Sequence, residues 1–184
     1  MKLEIMFIIG LAIFALVIGL AALKDVRRAF LVPEGYVGLL YHKGKFVEVL
    51  GAGRHIRWGR HYTIGPQDVR KTSLLVAGQD VLTADNVGLK LSLLVNYQVN
   101  DPVKAAHETQ NWQGDLYNAA QLALRTVVNG FAVETLLGQR LDIGAQLLAR
   151  VQPEAAKIGV NVLAVEVKDV MFPADLKRAF SDVL

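Results

Sequence analysis

Apolar and polar positions follow three different periods along this chain. From Ile5 to Leu23 there is no polar position at all: IMFIIGLAIFALVIGLAAL, 19 apolar or small residues, closed by Lys24, Asp25, Arg27 and Arg28. At about 1.5 Å per residue this run makes a helix of roughly 28 Å, the thickness of a bilayer's hydrocarbon core. It predicts a transmembrane anchor, with its juxtamembrane segment, over residues 1–31, and no other stretch is long and apolar enough to cross. A period of two follows. Val87, Leu89, Leu91, Leu93, Val95, Tyr97 and Val99 take every second position, which predicts a long strand with one buried face. Val76–Thr83 reads as its partner and Ala84-Asp85-Asn86 as the turn. Tyr36–Tyr41 and Phe46–Leu50 are shorter strands around Lys43-Gly44-Lys45.

From Asp101 the period becomes helical. Asp101 caps a short helix begun by Pro102 and running to about Glu108. Trp112–Val128 places Trp112, Leu116, Ala120, Ala123 and Val127 on one stripe and ends at Asn129-Gly130. Asp142–Ile158 repeats the pattern, with Pro153 expected to kink or split it. Gly159 closes that helix, Val160–Val167 returns to strand, and Pro173 opens a final helix with Leu176, Phe180, Val183 and Leu184 on its apolar side. The fold class is α+β: an antiparallel β-rich half over 32–100, a helical α/β half over 101–173, and the start of a C-terminal helix over 174–184.

A cleaved signal peptide is the alternative to the anchor. Such peptides have a shorter apolar core, a basic front end and a small-x-small cleavage site, whereas here Lys2 is offset by Glu4 and the basic residues stand at the exit. Lys24, Arg27 and Arg28 against Lys2 place the following domain on the cytoplasmic side by the positive-inside rule. The absence of cysteine excludes disulfides and thiolate metal sites. The formal net charge of +3 hides a gradient. Residues 1–32 carry four Lys/Arg and two Asp/Glu, residues 33–71 seven and three, and residues 72–184 nine and twelve. A basic membrane-proximal third suits an anionic leaflet, where each Lys or Arg near the surface contributes about 1 kcal/mol.

The basic third also carries aromatics: Arg54, His55, Arg57, Trp58, Arg60, His61 and Tyr62. One reading is a headgroup contact, with rings at the interface and guanidinium groups on phosphates. The other is a hairpin with His55 and Arg57 toward solvent and Ile56 and Trp58 toward a core. Nucleic-acid binding fits the short, mixed patch poorly. No catalytic constellation emerges. Gly51-Ala52-Gly53-Arg54-His55-Ile56 lacks the third glycine and the helix of a dinucleotide loop. The histidines lack metal-ligand spacing, and Ser73, Ser92 and Ser181 sit in no nucleophile elbow. Neither a cofactor nor a metal site is expected.

Four segments in order resemble a known family. Val32-Pro33-Glu34-Gly35-Tyr36-Val37-Gly38 with His42-Lys43-Gly44-Lys45-Phe46 resembles the entry to the SPFH (band 7) domain of stomatins, prohibitins and flotillins. Gln79-Asp80-Val81-Leu82-Thr83-Ala84-Asp85-Asn86-Val87 is similar to its hairpin turn. Asn96-Tyr97-Gln98-Val99-Asn100-Asp101-Pro102 is similar to the join between its two halves. Gly159-Val160 through Glu166-Val167-Lys168-Asp169-Val170 to Phe172-Pro173 resembles the stomatin/slipin end of the domain. The likeness covers roughly residues 32–180. Trp58 to Val69 matches poorly, and the coiled coil that the resemblance leads one to expect after Leu184 is missing from this sequence.

The resemblance implies a non-enzymatic scaffold that assembles into large rings or cages on a membrane and organises a microdomain. A regulatory subunit of an FtsH-type membrane protease, or of an NfeD-type or other integral partner, is the alternative. A membrane-tethered hydrolase rests on nothing positive. On this reading Lys24, Arg27, Arg28, Arg54, Arg57, Trp58 and Arg60 meet lipid. Arg125, Arg140, Asp142, Glu166, Lys168 and Asp169 would set register between neighbouring copies, since charged rows fix register more than they add affinity.

Overall fold

The computed structural model describes residues 2–138 and 140–172, and the side chains of 6–19, 27–136 and 142–172. The chain divides into two compact units, residues 1–68 and 69–184.

The first unit opens with helix α1 (Lys2–Val26), which passes directly into strand β1 (Arg27–Val32). Four more strands follow: β2 (Tyr36–His42), β3 (Lys45–Leu50), β4 (Gly53–Trp58) and β5 (Tyr62–Asp68). β1 pairs with β4, and β3-β2-β5 form a second antiparallel sheet. The β2–β3 turn has Lys43 at φ 52° and Gly44 at φ 79°, the two left-handed residues of a tight hairpin turn. Val32, Leu40 and Leu50 are the buried centre of this unit.

Three expectations change here. Arg27–Val32, read as the anchor's basic flank, is a strand. The poorly matched stretch after Trp58 is β5, and its Pro66 is tolerated because β5 lies at a sheet edge. The hairpin reading of 54–62 has its faces reversed: Trp58 is 63% exposed, whereas Arg57 is half-buried. Alternation separates two faces but does not say which one meets the core. As for the anchor, among the described residues no helix is long and apolar enough to cross a membrane.

The second unit is a sheet of order β6-β7-β8 covered on one face by helices. Its strands are β6 (Thr72–Leu82), β7 (Gly88–Val99) and β8 (Val160–Met171); its helices are α2 (Pro102–His107), α3 (Trp112–Val128), α4 (Val133–Gly138) and α5 (Arg140–Lys157). The alternation of β7 is realised: Leu89, Leu91, Leu93, Val95, Tyr97 and Val99 are all buried in one core with Leu116, Leu124 and Leu147. α2 is capped as its sequence suggests, by Asp101 on the Lys104 N–H at 3.0 Å, and α3 is capped by Asn111 on the Gly114 N–H at 3.1 Å.

Pro153 does not split its helix; α5 runs unbroken through it. Ala149, whose carbonyl loses its N–H partner to the proline ring, is exposed, as are Gln152 to Glu154, so water can meet the freed carbonyl. α4, which the periodicity did not indicate, fills the gap between α3 and α5. The helix expected from Pro173 lies outside the described residues.

Gly159 joins the two ends of the helical half. Its φ is +73°, and its carbonyl accepts the N–H groups of Asn100 at 3.1 Å and Asp101 at 3.0 Å. A side chain there would begin 2.2 Å from the Asp101 carbonyl oxygen, so only glycine fits.

Candidate functional site

In the first unit, the register of β1 against β4 brings together two segments far apart in sequence. Arg27 pairs with Trp58, Ala29 with Ile56 and Leu31 with Arg54. Paired residues share a face, so these six lie on one side of the ribbon. Leu31 is 77% exposed there and Trp58 63%. The described apolar side chains of α1 are exposed as well, Phe7 and Phe14 among them. The result is a bare apolar helix leading into a ribbon whose outer face mixes Leu, Ile and Trp with two guanidinium groups. Such a surface has the chemistry of a headgroup layer: apolar bodies, an amphipathic indole and cations for phosphate.

The other face carries Arg28, Phe30, Val32, His55 and Arg57, and Val32 and Phe30 pack into the small core. Arg57 bonds to the Glu48 carboxylate, through Nε at 3.2 Å and through Nη2, and to the Ile56 carbonyl at 3.1 Å. Thus, of the residues assigned to lipid, Arg27, Arg54 and Trp58 share the outer face, while Arg28 and Arg57 lie on the inner one. Arg60 is exposed beyond the end of β4, and the Lys24 side chain lies outside the described residues. His55 is spoken for, 2.7 Å from the Gly51 carbonyl.

In the second unit, the residues assigned to register between copies do not form one cluster. Asp142, Glu166, Lys168 and Asp169 are exposed, and the Arg140 side chain lies outside the described residues. Glu166 accepts from Asn96 Nδ2 at 3.3 Å, and Asn96 Oδ1 accepts from Ser73 Oγ at 2.6 Å, a polar ladder across all three strands. Lys168 is the extra residue where the β7–β8 register shifts between Ser92 and Leu93. Such bulges, with lysine, are a common protection of edge strands against unwanted pairing, and β8 is an edge. Arg125 stands elsewhere, lining a cavity of about 770 Å³ with Asp80, Leu82, Lys90, Asn129 and Met171. Sequence reasoning missed this cavity, which Leu82 and Met171, both 58% exposed, border.

Buried polar groups in this unit are structural. Gln79 donates to the Ala77 carbonyl and the Tyr117 hydroxyl, each at 2.9 Å, and accepts from Gln121. These bonds seat the β6 bulge, where Gly78 at φ 60° donates to Ser92 Oγ at 3.1 Å. Thr83 donates to Asp85, which also accepts from the Val133 N–H at 3.4 Å and so ties the β6–β7 turn to the start of α4. The Thr83 hydroxyl bond is the main reason that the Asp85 carboxyl sits below its usual pKa. Among the described residues no group of three or more His, Cys, Asp or Glu could hold a metal ion.

Comparison with known proteins agrees with this architecture. The model of the SPFH domain / Band 7 family matches residues 30–184. An uncharacterized protein of Archaeoglobus fulgidus is 29% identical over 92% of this chain and 66% of its own length. Another, of Methanocaldococcus jannaschii, is 28% identical over 91% of this chain and 85% of its own. A stomatin homolog of Pyrococcus abyssi is 33% identical over 62% of this chain, which spans 42% of that protein. The antiparallel sheets and helices make this an α+β fold, and the chain belongs to the SPFH domain / Band 7 family.

Proposed function

We propose that this chain is a membrane-anchored scaffold of stomatin type, without catalytic activity, which self-assembles into large rings or cages and organises the membrane beneath them. One observation carries the membrane half of this reading. The exposed apolar surface of α1 leads without a linker into a ribbon that gathers Arg27, Leu31, Arg54, Ile56 and Trp58 on its outer face. Residues Ile5–Leu23 span the hydrocarbon layer, the outer face of β1–β4 lies at the headgroups, and the basic exit holds the folded domain on the cytoplasmic side. Assembly is supported by the family and by the exposed charges of β8. Glu166, Lys168 and Asp169 fix the register of neighbouring copies, joined by Arg125, Arg140 and Asp142.

Trp58 is the reporter. The chain has two tryptophans, so Trp112→Phe leaves Trp58 as the only one. In vesicles containing brominated lipid, its emission is expected to be blue-shifted and quenched. Emission like that of indole in water, indifferent to the brominated lipid, would overturn the headgroup placement. For the assembly, mild detergent extraction followed by mass photometry is expected to show a species many times the 20.1 kDa of one chain. A monomer at every concentration would overturn it.

A further inference from the structure

Two turns meet at the end of the first unit where the chain enters it from α1. Trp58, last in β4, pairs with Arg27, first in β1, so the β4–β5 turn over residues 59–61 lies beyond the end of the ribbon that α1 joins. The β2–β3 turn lies beside it. His42 pairs with Tyr62 across β2 and β5, their rings stacked at 4.5 Å, and the Lys43 N–H donates to the His61 carbonyl at 3.0 Å. The Tyr62 ring also closes over Gly59, where a Cβ would begin 3.0 Å from it. The two turns are therefore bonded to each other and braced by a stacked pair of rings.

The charge of this tip has one sign. Lys43, Lys45 and Arg60 are exposed in the two turns, and Arg27 is exposed opposite Trp58. Residues 41–47 and 58–63 contain no Asp or Glu. The first carboxylate along β3, Glu48, is bonded to Arg57, and at the end of α1 Asp25 is offset by Lys24. The backbone adds a second observation. Asn or Gly is the ordinary occupant of left-handed turn positions, yet Lys43 stands at φ 52° and His61 at φ 68°. A long cationic side chain at such a position carries a backbone cost that the hairpin itself does not require.

We infer that this tip selects phospholipids of net negative charge. The headgroup phosphate meets the ammonium groups of Lys43 and Lys45 and the Arg60 guanidinium, with the Trp58 ring at the level of the headgroups. A zwitterionic headgroup brings its own ammonium with every phosphate, and the two turns hold no carboxylate to receive it. The selection rests on the headgroup placement of the β1–β4 ribbon proposed above, and adds to it a lipid class and two residues, Lys43 and Lys45. A phosphorylated peptide offers the same phosphate. The lipid is favoured because the tip stands at the end of the unit that α1 joins, beside a tryptophan that is 63% exposed.

The test uses the full Trp112→Phe chain in nanodiscs of one fixed composition, phosphatidylcholine with a minor share of phosphatidylglycerol. Bromine is carried either by the phosphatidylglycerol or by an equal number of phosphatidylcholines. Trp58 emission is expected to be quenched in both, and about threefold more by the brominated phosphatidylglycerol. Added salt should erode that excess, because exposed charges are screened. Lys43→Asn with Lys45→Gln should bring the ratio to about one while quenching by brominated phosphatidylcholine persists; asparagine accepts the left-handed backbone. Removing the same charge from the second unit, by Lys90→Gln with Lys157→Gln, should leave the ratio unchanged. Absence of quenching by either lipid would remove the headgroup placement itself, and this selection with it. Equal quenching by both, as expected if the Trp58 ring takes a choline ammonium, would leave the placement standing and overturn the selection. A preference that survives the exchange of Lys43 and Lys45 would overturn it too. So would one abolished by inorganic phosphate at matched ionic strength, the mark of a site for a soluble phosphate group.

Discussion

Replacing Gly159 with alanine should be among the most damaging single-methyl additions in this protein. Two effects add. The left-handed backbone at φ +73° costs an alanine about 1 kcal/mol. The new Cβ would then lie 2.2 Å from the Asp101 carbonyl oxygen, 2.9 Å from Lys104 Cβ and 3.1 Å from the Ala105 nitrogen. Two of those neighbours are backbone, so the join must open, and opening it loosens the bonds from the Asn100 and Asp101 N–H groups to the Gly159 carbonyl. At about 1 kcal/mol for each bond, the total destabilisation is about 3 kcal/mol. That is a large part of the roughly 5–15 kcal/mol by which domains of this size are typically stable. Gly78→Ala is the control. It shares the unit and the positive φ (60°), but the nearest atom to its Cβ is 3.9 Å away, so only the backbone cost of about 1 kcal/mol applies. Trp112, edge-on to Tyr97 at 5.6 Å, reports unfolding of this unit by urea in a Trp58→Phe background. A Gly159→Ala variant no less stable than Gly78→Ala would refute the argument that steric contact, rather than φ alone, demands glycine there.

Three further outcomes are expected. Because the folded pKa of Asp85 lies below its usual 3.8, the unfolded chain binds the proton first. The stabilisation is therefore complete above about pH 4 and is lost as pH falls through the depressed value; Asp85→Asn should flatten this acid limb of a urea-midpoint against pH profile. Leu147→Ala, at a position with no solvent exposure between α5 and the sheet, should cost about 2–5 kcal/mol by the same urea assay. Glu48→Gln should cost less than about 1 kcal/mol, because the side chains of the pair it forms with Arg57 are 44% and 32% exposed; its effect should be seen in faster amide exchange of β4.

What could be read from the chain alone was whatever lay in one continuous period. β7 declared itself because all of its inward residues are apolar, and α3 because its stripe persists over four turns. β1 did not, because RRAFLV adjoins an apolar run and its partner β4 begins twenty residues later; a short strand paired at that distance has no local signature. β5 was masked by Gly65-Pro66, and α4 has too few residues for a helical period to show. The candidate surfaces divide in the same way. Basic and aromatic residues near an anchor point to lipid by type, but the sharing of one face by Arg27, Arg54 and Trp58 is a matter of register between strands. The Arg125 cavity needs three strand ends and a helix terminus to meet, and no spacing in the sequence announces that.

The passage from α1 to β1 at the Val26–Arg27 peptide has a mechanical consequence. A helix turns each residue by about 100°, and a strand turns it by about 180°. With no slack between them, the azimuth of the helix is phase-locked to the two sides of the ribbon. Inserting a single alanine at that junction would swing the helix by more than a quarter-turn, or else exchange the side holding Trp58's partner with the side holding Val32. A twist applied to the ribbon is passed down the helix as torque, in the manner of a key and its shaft.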